Sequence, residues 1–158
     1  MRIFGRFFGE LLLLGALSVL ALLAGCMAMD TSPRERLVLA QREYTDGIRW
    51  SRLDDAVQKL PAEKRVGFVD RHKALEEDLE VADWDIVSVD LDDKAKTRTA
   101  KIRVQYQWLL RNQGIVRKTT TRQDWEERDG KWLLVREERV RGTPLTIFDE
   151  PARASTSK

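Results

Sequence analysis

The chain has 158 residues, of which 42% are hydrophobic and 34% are charged, and its net charge is +2. This length predicts a single domain with a real core. The nearly balanced charge argues against a nucleic-acid partner, since binding a polyanion requires a basic excess. The only cysteine, Cys26, leaves no intramolecular disulfide and no thiol-based metal site. We therefore expect no cofactor and a fold held together by packing alone.

The first residues have the layout of a removed export signal. A basic start precedes an apolar run from Leu11 to Ala24, and the run closes on Leu-Ala-Gly-Cys with the cysteine at position 26. The run is too short for a comfortable membrane span. It resembles the lipobox of bacterial lipoproteins. This resemblance implies removal of residues 1–25, lipidation of Cys26 and firm anchoring by two or three acyl chains.

The alternative is an uncleaved anchor helix from Leu11 to Met29, with Cys26 as an ordinary apolar-site thiol. Glu10 fits a signal poorly, because it places a charge before the apolar run. Met27 stands where enterobacterial lipoproteins retained in the inner membrane carry Asp, and that resemblance implies outer-membrane delivery. We expect a periplasm-facing lipoprotein on the outer membrane, with the inner membrane and the cell surface left open.

A short tether and a helical region follow the cysteine. Residues 26–33 reach about 25 Å at full extension. Pro33, with Glu35 in the next turn, indicates a helix start. Apolar residues at three- and four-residue spacing predict two or three helices between residue 33 and about residue 77. We expect Gly47 to kink or break the first helix and Pro61 to begin another.

From Val81 the chain alternates β-branched and aromatic residues with polar ones, which is typical of strands. Turn residues at 112–114 and 129–130 indicate antiparallel hairpins. The predicted strands are 84–91, 100–110, 115–125 and 132–140. Helices followed by a hairpin-connected sheet predict an α+β fold, with N-terminal helices packed on a four-stranded antiparallel sheet. The domain covers 34–142, and 143–158 is a C-terminal extension whose last part, 151–158, is expected to be disordered.

The order of elements and the closing run from Gln123 to Val135, with its Asp-Gly-Lys-Trp turn, resemble the NTF2-like superfamily, also described as cystatin-like α+β cones. The resemblance covers about residues 36 to 140 and takes 44 to 60 as the long helix. It implies a curved sheet that wraps a helix and leaves a cone-shaped pocket. In that family the pocket is an active site in some members and a binding surface or a filled interior in others, so the fold does not decide the function.

Few residues qualify for chemistry in such a pocket. Tyr44, Tyr106 and Asp124 are the pocket candidates, because a buried acid or tyrosine can be tuned for proton transfer. Strand alternation nevertheless places Asp124 outward. His72, the only histidine, lies in a charged stretch and is predicted to be solvated. Nucleophile motifs, metal-ligand spacings and phosphate loops are absent from the sequence, so we name no catalytic residue and favour a protein that is not an enzyme.

Charges are segregated along the chain. Nine acids and no base lie between Glu76 and Asp93, and nine bases and no acid lie between Lys94 and Arg122. One interpretation is that an acidic first strand pairs with a basic second strand. The other is a basic sheet face that binds an acidic protein, a lipid headgroup or another polyanion of the envelope. The residues at the centre of that face are Lys101, Arg103, Lys118 and Arg122.

The segment after the last predicted strand ends in three apolar side chains, Leu145, Ile147 and Phe148. We expect it to cover an open end of the cone, and the alternative is an exposed anchor for a partner.

The sequence thus predicts a membrane-anchored, non-catalytic binding or assembly module with an envelope protein partner. The alternative is a pocket protein that binds or turns over a small apolar molecule. A cone filled by the tryptophans at 84, 108, 125 and 132 would favour the module, and an open polar cavity would favour the pocket protein.

Overall fold

The computed structural model describes residues 31–75 and 77–148. Cys26, its signal, nearly all of the tether and the predicted disordered end at 151–158 lie outside these residues. Three helices come first: α1 (Pro33–Arg49), α2 (Leu53–Val57) and α3 (Ala62–Lys73). Four strands follow: β1 (Leu79–Asp92), β2 (Thr99–Leu110), β3 (Arg117–Arg128) and β4 (Lys131–Gly142). Within the described ranges, no helix is long and apolar enough to cross a membrane.

Helix α1 forms where its start signals and its apolar spacing agree. Pro33 occupies the first helical position and Glu35 lies in the first turn, where an acid favours the helix dipole. Leu37, Tyr44 and Ile48 are buried on one side of the helix. The helix is therefore amphipathic and packs this side against the sheet.

Gly47 does not break α1, contrary to the sequence prediction, and the long helix does not extend from 44 to 60. The helix continues to Arg49, and the chain turns at Ser51, whose φ is +54°. A Cβ atom at Gly47 would lie 2.9 Å from the backbone nitrogen of Ala56. The glycine is needed because α2 packs directly against α1 at this point.

The four strands form one antiparallel sheet in the order β1-β2-β3-β4, so every neighbour in sequence is also a neighbour in space. The α+β prediction is confirmed. Both predicted hairpin turns are present, with positive φ at Gly114 and at Asp129 and Gly130. The register of β1 against β2 shifts at two places, and so does that of β3 against β4. Such bulges bend strands and increase their twist, which curves the sheet around the helices.

Aromatic side chains fill the concave side of the sheet. Trp108, Trp125 and Trp132 are buried there, and Trp84 is half-buried with its indole nitrogen donating to Asp46 Oδ1 at 2.9 Å. Tyr44 packs edge-on against Trp125 with ring centroids 6.2 Å apart. The interior is therefore occupied largely by the protein's own rings.

Residues 143–148, which we call the strap, fold back over the open end of the cone. Leu145, Ile147 and Phe148 are all at least 96% buried, so this segment covers the core and is not an exposed anchor. The Phe148 and Tyr106 ring centroids are 4.9 Å apart. Gly142 begins the strap with φ at +88°, and a Cβ atom there would lie 2.2 Å from the carbonyl oxygen of Lys118.

Candidate functional site

The side chain of one half-buried glutamate, Glu137, presents its carboxylate to the inside of the cone. Glu137 on β4 accepts hydrogen bonds from Tyr44 to Oε2 at 2.9 Å and from Tyr106 to Oε1 at 3.0 Å. Oε1 also accepts from the hydroxyl of Thr121 at 2.7 Å and from the amide of Gln123 at 2.9 Å. We call these five residues the polar cluster. One helix and three strands contribute to it, so it forms only when the sheet has closed around α1.

Burial controls the protonation of the polar cluster. It raises the pKa of Glu137 above its usual range, and the four hydrogen bonds to the carboxylate oppose this shift without cancelling it. Burial, followed by the nearby Glu137 carboxylate, also raises the pKa of both Tyr44 and Tyr106. The tyrosines are therefore hydrogen-bond donors at neutral pH. A carboxyl group with a raised pKa is a chemically capable acid or base.

The polar cluster has almost no free space beside it. The cavity that reaches Tyr44 and Glu137 has a volume of about 40 Å³, close to that of a single water molecule. Phe148 and Ile147 of the strap form part of its wall. Each carboxylate oxygen of Glu137 already accepts at least one hydrogen bond, and the small cavity leaves no room beside it for an organic substrate.

The structure brings together two of the three pocket candidates. Tyr44 and Tyr106 meet at Glu137, as described above. Asp124 was wrongly assigned to the pocket, because it lies on the outer face of the sheet and its Oδ2 pairs with Arg136 Nε at 3.1 Å. The even-numbered residues in this part of β3 point away from the cone, and Gln123 and Trp125 point into it. Alternation had favoured the outward position for Asp124, and it was right.

His72 was also misplaced by the sequence analysis. It is 94% buried, its Nδ1 lies 3.0 Å from the carbonyl oxygen of Phe68, and the two rings are in tilted contact with centroids 4.0 Å apart. Burial lowers its pKa to about 4. Its Nε2 is buried without a hydrogen-bond partner. The charged neighbours of His72 point outward, but one residue per turn of α3 must still face the core.

The four predicted basic residues lie on the side of β2 and β3 that points away from the cone, which we call the outer face. In the register, Lys101 lies opposite Asp90 of β1 and Asp124 of β3. Arg122 pairs with Glu138 of β4, its partner in the register. The acidic first strand therefore does align with the basic second strand, as the structural interpretation predicted. Acidic side chains therefore flank the four basic residues on both sides, from β1 on one side and from β4 on the other.

Two cations of the outer face are nevertheless directly opposed. Arg103 and Arg122 are cross-strand partners, an arrangement that is unfavourable for like charges. Arg103 is exposed, and its Nε donates to Ser88 Oγ at 2.8 Å. Lys118 lies four residues from Arg122 on the same strand and faces Gln107. The structure thus joins Arg103 to Arg122 and separates Lys118 from both.

A large open groove lies where the end of β1 meets the start of β2 and the end of β3. It has a volume of about 610 Å³, and five acids, two lysines and five uncharged residues line it. Among its lining residues are Asp90, Asp92, Lys101, Asp124 and Glu126. Two of the predicted site residues, Lys101 and Asp124, therefore share one groove. Among the described residues there is no group of three His, Cys, Asp or Glu side chains that could hold a metal ion.

Sequence reasoning missed Glu137 because a bulge reverses the alternation of β4. Trp132 and Leu134 face the core, and continued alternation would place residue 136 inward and residue 137 outward. The register instead pairs Trp125 with Leu134 and Asp124 with Arg136, which leaves one extra residue in β4. The shift turns Glu137 into the cone. The hydrophobic pattern of the strand carries no signal for this bulge.

No protein-family model matches the chain, and neither does any curated protein. Solved structures do match its fold. An NTF2-like protein from Cytophaga hutchinsonii aligns with a TM-score of 0.54 and 7% identity, over 69% of this chain and 98% of the other. A putative Ca/calmodulin-dependent kinase II association domain from Exiguobacterium sibiricum aligns with a TM-score of 0.52 and 10% identity, over 71% and 95%.

A SEC-C motif-containing protein from Rhodopseudomonas palustris aligns with a TM-score of 0.50 and 17% identity, over 65% of this chain and 77% of the other. These identities are low enough that the likeness concerns the fold alone. With α helices first, a curved four-stranded antiparallel sheet and an NTF2-like structure among its neighbours, this chain has the NTF2-like α+β fold.

Proposed function

We propose that the protein is a lipid-anchored, periplasm-facing lipoprotein that acts as a non-catalytic binding or assembly module of the bacterial envelope. The observation that carries this proposal is the closed interior of the cone. A cavity of about 40 Å³ beside Glu137 is too small for an organic substrate. The surface is then the place for function. The lipobox motif ending at Cys26 supports the membrane anchor.

The outer face is the binding surface that we assign to a protein partner. The opposed pair Arg103 and Arg122 places two cations side by side, and Glu138 offsets the charge of Arg122 but not that of Arg103. Acidic side chains of a partner would relieve this repulsion, so part of the binding energy would come from removing an unfavourable contact. The mixed charge of the surrounding strands favours a specific protein over a uniform polyanion, because interspersed acids would repel the latter.

The test is in-cell crosslinking and affinity recovery of the tagged, lipidated protein from solubilised envelope. The test variant carries Arg103→Glu, which leaves the ion pair between Arg122 and Glu138 in place. Its matched control carries Arg42→Glu, the same change of charge at an exposed position on α1. We expect a stoichiometric protein partner with the wild type and the control and its loss with the test variant.

A third variant, Glu137→Gln, separates the surface from the cone. It leaves the outer face unchanged, so partner recovery should match that of the wild type. Absence of any enriched protein with the wild type would contradict the assembly module.

The polar cluster supports a second candidate, a small-molecule pocket protein. Two tyrosines and a carboxyl group with a raised pKa converge there, and such groups bind or activate polar ligands in other proteins. This function would require the strap to leave the cone. Native mass spectrometry of the full chain recovered from its own membrane tests it, since a bound small molecule would appear as a discrete added mass that Glu137→Gln removes.

A further inference from the structure

The turn between β2 and β3 exposes two adjacent aliphatic side chains. Ile115 is 60% exposed and Val116 is 56% exposed, and they follow Gly114 at the tip of the hairpin. Single exposed apolar residues are common on protein surfaces. An adjacent pair at a protruding turn exposes a small contiguous apolar surface, and cationic neighbours would suit this surface to a partner that is both anionic and partly apolar.

Cations surround this apolar pair on the β3–β4 side. Arg117 and Lys118 follow it directly, and Arg141 lies beside Thr120 in the register, on the outward side of the sheet that Lys118 shares. In the described part of the chain, neither Lys118 nor Arg141 forms an ion pair with an acid. We call Ile115, Val116, Arg117, Lys118 and Arg141 the basic turn.

Acids do not neutralise the basic turn, although they are present at the neighbouring corner. Arg111 lies at the end of β2 and pairs with Glu80 of β1, with 3.5 Å between Nε and Oε2. The guanidinium of Arg117 instead lies 5.4 Å from the centroid of the Trp108 ring and donates to Gln113 Oε1 and to the carbonyl oxygen of Ile115. Among the described residues, the positive charge without an acidic partner at this end of the sheet therefore lies on β3 and β4.

The basic turn and the start of the folded domain lie at opposite ends of the sheet. The chain enters the domain at Pro33, and Arg36, one turn later, donates to Glu127 at 3.1 Å near the far end of β3. Ile115 and Val116 of the basic turn directly precede Arg117, the first residue of the same strand. Twelve residues of β3 span about 35 to 40 Å at the usual rise per residue.

We propose that the basic turn docks on an anionic lipid surface. Branched aliphatic side chains at a turn can enter the headgroup boundary while neighbouring Lys and Arg side chains meet lipid phosphates. Protein contacts are usually centred on Trp, Tyr or Arg in a packed pocket, and a protruding aliphatic tip does not provide such a pocket. The chemistry therefore favours a membrane over an acidic protein.

This inference rests on the proposed membrane anchor at Cys26. A lipid on the tether and a docked turn at the other end of β3 would hold the domain at two points. The domain would then lie lengthwise along the membrane, an orientation that a short tether alone leaves free. The outer face would be presented to its partner in a fixed direction.

The experiment places a single fluorescent label on the full, lipidated chain. Because Cys26 is the only cysteine and its thiol carries the lipid in this account, Ile115→Cys provides the only free thiol for an environment-sensitive dye. The matched control is Val66→Cys on α3, at a side chain that is 73% exposed. Each labelled protein is reconstituted in phosphatidylcholine vesicles with or without phosphatidylglycerol, and a lipid-borne quencher measures contact with the bilayer.

We expect quenching at position 115 to exceed that at position 66 several-fold in vesicles with phosphatidylglycerol, and to fall toward the control in neutral vesicles or at raised salt. Combining the label with Lys118→Glu and Arg141→Glu should have the same effect as neutral lipid. A dye at 115 that is quenched no more than the dye at 66 in anionic vesicles would overturn the proposal. The proposal would also be overturned if an acidic protein added without vesicles, and not the anionic lipid, changed the environment of the dye at 115.

Flotation with neutral vesicles checks the anchor separately. If the chain fails to float, the membrane anchor is wrong, and the dye at 115 then reports whether the unanchored chain binds phosphatidylglycerol vesicles through the basic turn. The anchor and the docked turn can therefore fail independently of each other.

Discussion

At the scale of single residues, Glu137 is a carboxyl group held inside the cone by four hydrogen bonds. Burial raises its pKa, so above about pH 4.5 the folded state holds a proton that the unfolded state has released. Wild-type stability is therefore reduced as the pH rises from 4.5 through the folded pKa. The variant Glu137→Gln cannot ionise and should lack this loss.

Urea unfolding of the wild type and of Glu137→Gln across this pH range checks the prediction. The stability of the wild type relative to the variant should decline as the pH rises. The control is Glu138→Gln, which removes the neighbouring carboxylate from the outer face. A wild-type advantage that stays constant with pH would show that Glu137 ionises as freely in the folded protein as in the unfolded chain.

His72 gives the opposite pH dependence. Burial lowers its pKa to about 4, so between pH 6.5 and 4 the unfolded state binds a proton that the folded state excludes. The contribution of neutral His72 to the free energy of unfolding is fully present above pH 6.5. It is lost as the pH falls toward 4, by about 3 kcal/mol in all. Since this is the only histidine, the ring resonances of an untagged chain report it directly. The His72 ring resonances should remain those of a neutral imidazole at pH 5.5. A titration midpoint near pH 6.5 would contradict the burial of this side chain.

At the scale of elements, the strap should contribute strongly to stability. Phe148 is buried against Tyr106, and truncation of a buried phenylalanine leaves a cavity. Phe148→Ala should lower the free energy of unfolding by about 3 kcal/mol or more. Thr146→Ala, at an exposed position of the same strap, should change it by less than about 0.5 kcal/mol. Equal effects in urea unfolding would mean that the strap does not close the cone.

The start of the strap provides a second comparison, between two glycines with positive φ. An alanine at Gly142 would place its Cβ 2.2 Å from a backbone oxygen of Lys118, whereas Gly114 has open space around it. Gly114→Ala should cost only the conformational penalty of about 1 kcal/mol. Gly142→Ala should cost clearly more in thermal unfolding, because the backbone must also move. Similar costs would show that the strap can shift freely at this residue.

Periodicity predicted most of the elements. The alternating run of β2 places Tyr106 and Trp108 in the core as expected, and the turn residues at 112–114 and 129–130 were correctly identified. What the sequence could not predict depends on contacts between distant segments. The bulge that turns Glu137 inward is set by pairing with β3, and the burial of His72 is set by the packing of α3 against the core. Local pattern carries neither signal.

The same limit applies to the site. Tyr44 and Tyr106 were predicted as pocket residues because each lies on an apolar face, but the acid that joins them was missed and Asp124 was named in its place. Similarly, the sequence indicated a basic face from the run of bases in β2 and β3. The acids that interrupt this face come from β1 and β4, and only the register of the strands aligns them with it.

At the scale of the whole molecule, three surfaces divide the proposed roles. The cone interior is filled and stabilises the fold, the outer face is assigned to a protein partner, and the basic turn is assigned to lipid. This division requires that the domain be held at a membrane. All of it therefore depends on the predicted lipobox, whose residues lie outside the described part of the chain.

The most direct test is the mass of the N-terminal peptide of the protein purified from bacterial membranes. We expect a peptide that begins at Cys26 and carries a diacylglyceryl group and an N-acyl chain, and we expect Cys26→Ser to abolish this processing. A peptide that begins at Met1, or a cleaved and unmodified Cys26, would contradict the anchored module. The first result would instead favour the uncleaved anchor helix from Leu11 to Met29.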